Sequence, residues 1–409
     1  MRAWRNAVLA VYLASGIGLS AWLTRLPAIA ERLELSPASL GALLLTQTVA
    51  AFASVSTSGM TVLRLGASRT LRLTSGIVVV GLVLLGLGVS LFASVPVTVV
   101  GMLLFGLGSA TWNVAANVEG TALENALGKH IMPVLHAFFS IGTVAGAGVG
   151  ALAAAARVPV VWHVSGAAVL VLALVWGGLP FLRGEGTRVR PREPRTDTGS
   201  IDLAALAADR PAQGMRAAWR NPRTVLVGVF VLGIALAEGA ANDWVALALT
   251  TGYGTTEAVG ALGYGIFVTA MTAGRLAGTP MLDRFGRVVI LRVACSLALA
   301  GLAVFVASPS LGLGLAGLFL WGLGVSVGFP VGMSAAADDR SNTAASVSVV
   351  STLGYGAFLG GPPLLGLLGE AVGVRQALTA VAGLVAVSLL LVPALRVPPA
   401  GHRVPGTGR

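Results

Sequence analysis

Apolar runs of about 20 residues, parted by short polar breaks, follow one another along almost the whole chain. At 1.5 Å per residue, about 20 residues in a helix cross a hydrocarbon core of about 30 Å, so each run predicts one spanning helix. The runs lie at Ala7–Ile29, Leu40–Val62, Leu73–Ala93, Val97–Ala122, Met132–Ala155, Val160–Leu182, Thr224–Leu249, Ala258–Leu282, Val288–Ala307, Leu311–Ala337, Ala345–Leu368 and Ala377–Leu395. The pattern predicts an all-α membrane protein of twelve transmembrane helices. One polar stretch is long: Arg183 to Pro222 is rich in Arg, Pro, Gly, Thr and Asp and reads as a solvated linker. A short surface helix is expected within it at Ile201–Ala208. The organisation that follows is a six-helix bundle at 1–182, a linker at 183–222, a second six-helix bundle at 223–396 and a tail at 397–409.

Composition agrees. Of 409 residues, 56% are hydrophobic and 11% charged, and the mean hydropathy is +0.86, a balance that excludes an ordinary soluble domain. The single cysteine, Cys295, sits in an apolar run and has no internal disulfide partner. The first run is long enough to span and lacks a small-residue cleavage site, so it reads as the first span rather than a leader. The basic excess sits between apolar runs without interleaved aromatics, which marks topology and not a nucleic-acid surface. With the N-terminus inside, only Arg25, Arg32, Arg157 and Arg375 of the 27 basic residues fall outside. Both termini are therefore expected in the cytoplasm.

The halves echo each other. Leu104-Phe105-Gly106-Leu107-Gly108-Ser109 in the fourth span matches Leu320-Trp321-Gly322-Leu323-Gly324-Val325 in the tenth, 216 positions later. The same offset carries Trp22 of the first span onto Glu238 of the seventh. Duplicated membrane halves place a solute site between them.

Candidate chemistry concentrates in the seventh span, where Glu238, Asn242 and Asp243 interrupt an apolar helix. A charge at the centre of a span costs about 2.5–3.5 kcal/mol even on the lenient insertion scale, so such groups mark paths for protons or solutes. Glu238 and Asn242 share a face; Asp243 is turned about 100° from Asn242. Glu119 in the fourth span is the second acid, and Glu238 and Glu119 are the expected proton carriers. Trp112, Asn113 and Asn117 supply an aromatic plane and two amides in the same helix. Two readings stand for the asparagines, solute ligands or bridges between helices. Arg25 shares a face with Trp22, and His136 begins the fifth span with a side chain that titrates near neutrality. Trp22, Asn242, Trp321 and Tyr355 complete the expected solute-binding set. No phosphate-cradling loop supports ATP drive, no metal-ligand cluster appears, no cofactor is implied and no catalytic constellation points to an enzyme.

Between the eighth and ninth spans stands Gly274-Arg275-Leu276-Ala277-Gly278-Thr279-Pro280-Met281-Leu282-Asp283-Arg284-Phe285-Gly286-Arg287. This closely resembles the signature loop of the major facilitator superfamily. The first-half counterpart keeps Arg64 and Gly66 but has Leu63 where the acid belongs. More narrowly, Asn117-Val118-Glu119-Gly120, the stretch from His136 to Gly148, Ala237 to Trp244, Gly328-Phe329-Pro330 and Gly354-Tyr355 resemble YbjJ-type inner-membrane permeases, distantly similar to fucose–proton symporters. The glycine-rich fifth span partly resembles the antiporter signature of drug exporters, with Ala147 in place of its proline.

What the resemblance implies is a monomeric permease of the bacterial inner membrane, with two pseudo-symmetric halves working by alternating access. Its partners are a small-molecule solute, protons and the lipid bilayer. Asp283 and Arg284 are expected in a cytoplasmic charge network. Because the first and seventh spans of such proteins meet on the outer side, Arg25 is expected to pair with Asp243 as an outer gate, with His136 a secondary gating residue. Pro362-Pro363 is expected to kink or locally unwind the eleventh span. Proton-coupled uptake of a small polar solute leads; proton-antiport efflux and a non-transporting sensor are the alternatives.

Overall fold

The computed structural model describes residues 1–129, 131–183, 214–338 and 343–396, and every regular element among them is helical. The spans are α1 (Arg2–Arg32), α2 (Pro37–Leu65), α3 (Ala67–Ser90), α4 (Val95–Leu127), α5 (Met132–Ala155), α6 (Val160–Phe181), α7 (Pro222–Gly252), α8 (Glu257–Phe285), α9 (Arg287–Ala307), α10 (Leu311–Ala336), α11 (Thr343–Val372) and α12 (Val374–Leu395). A short helix at 214–220 leads into α7. Among the described residues, eleven helices are long and apolar enough to cross a membrane; α11, with its glycines, prolines and serines, is the twelfth span. Residues 184–213, with the expected helix at 201–208, lie outside the described residues, as do the tail at 397–409 and the charges His130, Asp339 and Arg340.

Local chemistry sets the helix starts. Pro37 and Pro222 open α2 and α7, where a missing N–H costs nothing. Ser36 and Asn221 cap those helices by accepting from the N–H groups of Ser39 (3.3 Å) and Arg223 (3.0 Å). Glu124 Oε2 accepts from the backbone of Ile131 (2.7 Å) and Met132 (2.9 Å), so this acid anchors the start of α5.

The duplication is written into packing. A Cβ on Gly101 would stand 2.8 Å from the Gly81 carbonyl oxygen, and one on Gly317 would stand 2.7 Å from that of Gly301. Thus α3 meets α4, and α9 meets α10, through glycine pairs whose members lie 220 and 216 positions apart. The turns α2–α3 and α8–α9 repeat as well, through Gly66 at φ 83° and Gly286 at φ 78°.

Two spans are broken. α1 is helical over Arg2–Leu23 and again over Leu26–Arg32, next to Pro27; α10 is helical over Leu311–Val325 and Gly328–Ala336, next to Pro330. A proline has no N–H for the carbonyl four residues back. For Pro330 that carbonyl belongs to Ser326, and Arg275 Nε of α8 donates to it instead, at 3.3 Å. Of the two outcomes expected at Pro362-Pro363, local unwinding does not occur, since α11 is helical from Thr343 to Val372.

The halves, α1–α6 and α7–α12, meet where α2 packs on α11 and α5 on α8. One end of the bundle, here the termini end, carries Arg2 and Arg396; the other is the far end. At the termini end Asp338 collects Arg287 Nη1 (2.6 Å) and Arg223 Nη2 (2.9 Å), while the same arginines donate to the Leu395 and Ala394 carbonyls. This ties the ends of α7, α9, α10 and α12 together. Burial alone would raise the Asp338 carboxyl. The hydrogen bonds and charges of Arg287 and Arg223 outweigh it and hold the group below the usual carboxylate range. A depressed carboxyl contributes stability above the unfolded value of about 3.9 and loses it as the pH falls through the folded value. Asp338→Asn is expected to lower the melting temperature in detergent at neutral pH, with the gap to the wild type closing as the pH falls well below about 3.9.

Candidate functional site

Beside a hollow of about 860 Å³ at the far end, lined by Glu31, Glu34, Thr251, Glu257 and Gln376, two others lie between the halves. The first, about 750 Å³, opens among α5, α8 and α10 on the termini side and is lined by His136, Ser140, Thr272, Arg275, Ser326 and Asp283. The second, about 290 Å³, is a central pocket formed by α1, α2, α7 and α11. Its polar groups are Gln47, Thr48, Asn242, Asp243 and Tyr355, and its rings are Trp22, Phe52, Tyr355 and Phe358. Phe52 and Tyr355 meet edge to face across the two halves, with centroids 6.4 Å apart.

Between these hollows stands an intramembrane ion pair. Arg275 Nη2 donates to Glu238 Oε1 at 2.9 Å, with the two side chains 36% and 18% exposed. Arg275 also lines the termini-side cavity, and the next turn of α7, with Gly239 and Asn242, lines the central pocket.

At the far end a second ion pair spans the halves. Arg25 Nε lies 2.7 Å from Glu257 Oε1, at 3% and 24% exposure, and Arg25 Nη2 donates to the Val158 carbonyl at 2.8 Å. Arg25 stands at the break in α1, so its side chain leaves the helix sideways toward α8. Beside it, Glu370 of α11 accepts from the Ala38 N–H of α2 at 3.2 Å.

The Major Facilitator Superfamily profile matches this chain over residues 8–360 and 244–409. The uncharacterized transporter y4wD of Sinorhizobium fredii is 32% identical over 397 residues, covering 96% of this chain and 98% of the relative. An uncharacterized MFS-type transporter of Yersinia pestis is 28% identical over 382 residues, covering 93% and 91%. The chain belongs to the major facilitator superfamily. Its fold is shared with the nucleoside transporter NupG (TM-score 0.70, 16% identity, covering 97% of this chain and 98% of that one). It is shared also with the E. coli fucose:proton symporter (TM-score 0.60, 14% identity, covering 95% and 98%). This facilitator is thus a multi-pass membrane transporter with the twelve-helix fold.

Of the residues singled out in the sequence, Trp22, Asn242, Asp243 and Tyr355 come together in the central pocket, and Glu238 lies one turn away. Others do not join them. Trp112 and Trp321 line neither hollow, and Trp321 packs against Phe267 and Phe305. Asn117 accepts from the Tyr12 hydroxyl (2.9 Å) and donates to Asn113 Oδ1 (2.7 Å), a bridge between α1 and α4. The bridge reading fits Asn117 in this arrangement, while the hydrogen bond of Asn113 stays within its own helix. Asn113 is exposed and lines neither hollow.

Glu119 lies apart from Glu238 and from the lining of both hollows. It is 1% exposed, and its Oε1 accepts from Trp4 Nε1 (2.6 Å) and the Arg183 N–H (2.9 Å). Those bonds hold the chain's start and the end of α6 against α4, away from both hollows. Arg25 is corrected as the partner of Asp243, because the ion pair it forms is with Glu257. Asp283 and Arg284 form no ion pair with each other: Asp283 lines the termini-side cavity, and the Arg284 guanidinium lies 5.2 Å from the Phe285 ring centroid. The charge network of that end is built on Asp338 instead. His136 does reach the cavity, with its ring edge to face against Tyr12 at 5.3 Å.

The sequence reading missed Gln47, Phe52, Glu257 and the intramembrane role of Arg275. A lone amide in the apolar run of α2 was the available signal for Gln47.

Proposed function

We propose that this transporter is a proton-coupled permease that moves a small polar solute across a bacterial cytoplasmic membrane by alternating access, acting as a monomer with both termini in the cytoplasm. The observation that carries this reading is the central pocket itself. It is built from both halves, and Gln47, Asn242, Asp243 and Tyr355 offer it polar groups that hold no side-chain partner among the described residues. Gln47, Asn242 and Asp243 are half-buried and Tyr355 is 48% exposed, so these groups stay open to a solute that enters the hollow.

The arrangement corresponds to an inward-open state. Arg25–Glu257 and Glu370–Ala38 draw the far ends together, while the cavity holding His136 and Arg275 opens toward the termini. Glu238 is the proton site in this reading. A proton on Glu238 frees Arg275, which already touches the Ser326 carbonyl at the break in α10, so protonation shifts a contact between α7, α8 and α10. The stretches similar to YbjJ-type permeases, His136 to Gly148 and Ala237 to Trp244, contribute to both hollows, and that narrower kinship is part of the proposal.

Export by proton antiport is the second reading, favoured by the mostly apolar wall around the polar groups (Leu19, Leu23, Ala51, Val55, Leu359). Reconstituted proteoliposomes carrying a pH-sensitive dye test both. A bound solute is expected to drive proton movement, with the sign of coupling given by its direction. Trp22→Ala with Asn242→Ala is expected to abolish that movement. Binding without flux for every ligand tried would leave a sensor in place of a transporter.

A further inference from the structure

The central pocket, taken as the solute site of the reading above, contains one carboxylate with nothing to answer its charge. Asp243 opens onto the pocket, and no hydrogen bond or ion pair to it exists among the described residues. The two arginines deepest in the neighbouring spans are engaged elsewhere, Arg25 with Glu257 and Arg275 with Glu238. No lysine, arginine or histidine lines the pocket.

A carboxylate in such a place is matched from the protein or from the ligand. The walls say which kind of ligand. Trp22, Phe52, Tyr355 and Phe358 surround the opening with aromatic rings, whose faces attract an organic cation. Leu19, Leu23, Ala51, Val55 and Leu359 fill much of the rest and suit an apolar body. A polyol would leave hydroxyls against those aliphatic walls, and an acid would face Asp243 at close range. The volume of about 290 Å³ limits the ligand to a compact molecule.

We propose that the central pocket takes a compact amphipathic organic amine, its ammonium held by Asp243 and the aromatic rings and its apolar body against α1, α2 and α11. Gln47 and Asn242 supply hydrogen bonds to any polar substituent.

The test uses three probes of matched shape on the full chain in detergent: phenethylamine, 2-phenylethanol and 3-phenylpropanoate. Equilibrium binding and thermal shift are expected to favour the amine over the alcohol by roughly tenfold or more, with no binding of the acid. Asp243→Asn is expected to erase the preference, and Asp243→Glu to keep part of it; the latter also guards against a folding defect in the former. Equal binding of amine and alcohol, retention of the preference in Asp243→Asn, or binding of none of the probes overturns the proposal. Should glucose bind instead, and be lost in Trp22→Ala but not in Asp243→Asn, the amine assignment falls while the central pocket stands. Should amine binding survive in both Trp22→Ala and Asn242→Ala, the pocket itself is removed as the solute site.

Discussion

Glu238→Gln is expected to abolish uphill, proton-driven movement of solute while leaving solute exchange across the membrane measurable. The amide keeps the shape and the hydrogen-bonding oxygen that Arg275 meets at 2.9 Å, but it takes up no proton. Coupling then has no chemical step to ride on, and accumulation against a gradient is expected to drop by about a hundredfold, which is about 2.7 kcal/mol of lost coupling. The substitution also leaves a guanidinium without its counter-charge. Because Arg275 is 36% exposed and lines the termini-side cavity, water tempers that penalty. A purely structural role would predict something different: the double variant Glu238→Gln with Arg275→Gln, which removes both charges, would restore transport as well as stability. The present reading expects stability restored and accumulation still absent. Uphill transport by Glu238→Gln within twofold of the wild type would move the proton site elsewhere.

Periodicity and duplication were legible because they rest on local rules. Spans of about 20 apolar residues follow from bilayer thickness. The Gly-Leu-Gly repeat stands in both halves where backbones touch: Gly106 lies against the Gln47 carbonyl and Gly322 against that of Phe267, Gly108 against that of Thr74 and Gly324 against that of Ala294. The meeting of Trp22, Asn242 and Tyr355 was legible for a related reason: a polar or aromatic group inside a span has few places to point. Direction within a span was harder. In α4 and α7, apolar on nearly every side, no polar face says which residues turn inward to their own bundle and which toward the other half. Trp112 and Glu119 of α4, and Trp321 of the equally apolar α10, were therefore assigned to a cavity, while the structure sets them outside the lining of both hollows. Partners across the halves were harder still. Glu257 lies at the first residue of α8 and reads as a loop charge, and Arg275 sits inside a motif that draws attention to its charged end. Neither pairing has a signature along the chain, since each depends on a helix break or a carbonyl freed by proline.

At the far end, single charge reversals Arg25→Glu and Glu257→Arg are each expected to stop transport, and the double reversal to restore much of it. Arg25 is 3% exposed, so the pair is nearly out of water, and stripping one partner from a buried pair costs about 3–5 kcal/mol. On the proposed reading the pair joins the halves only while the far end is closed, so that cost falls on the far-end-closed state alone. A shift of about 3 kcal/mol moves the balance between two conformations by about a hundredfold toward the form open at the far end. Rescue is expected to be partial, because a glutamate at position 25 gives the Val158 carbonyl no donor to replace Arg25 Nη2. Access to the central pocket reads the same shift without any substrate. A cysteine placed at Thr48 in a Cys295→Ser background is expected to react faster with a membrane-impermeant thiol reagent from the far side in either reversal, and to return toward the wild-type rate in the double. Labelling that ignores all three variants would leave Arg25 and Glu257 as a static staple. Closure of that end would then rest on the backbone contacts of α2 with α11, where Gly41 lies against the Pro362 carbonyl and Gly366 against that of Pro37.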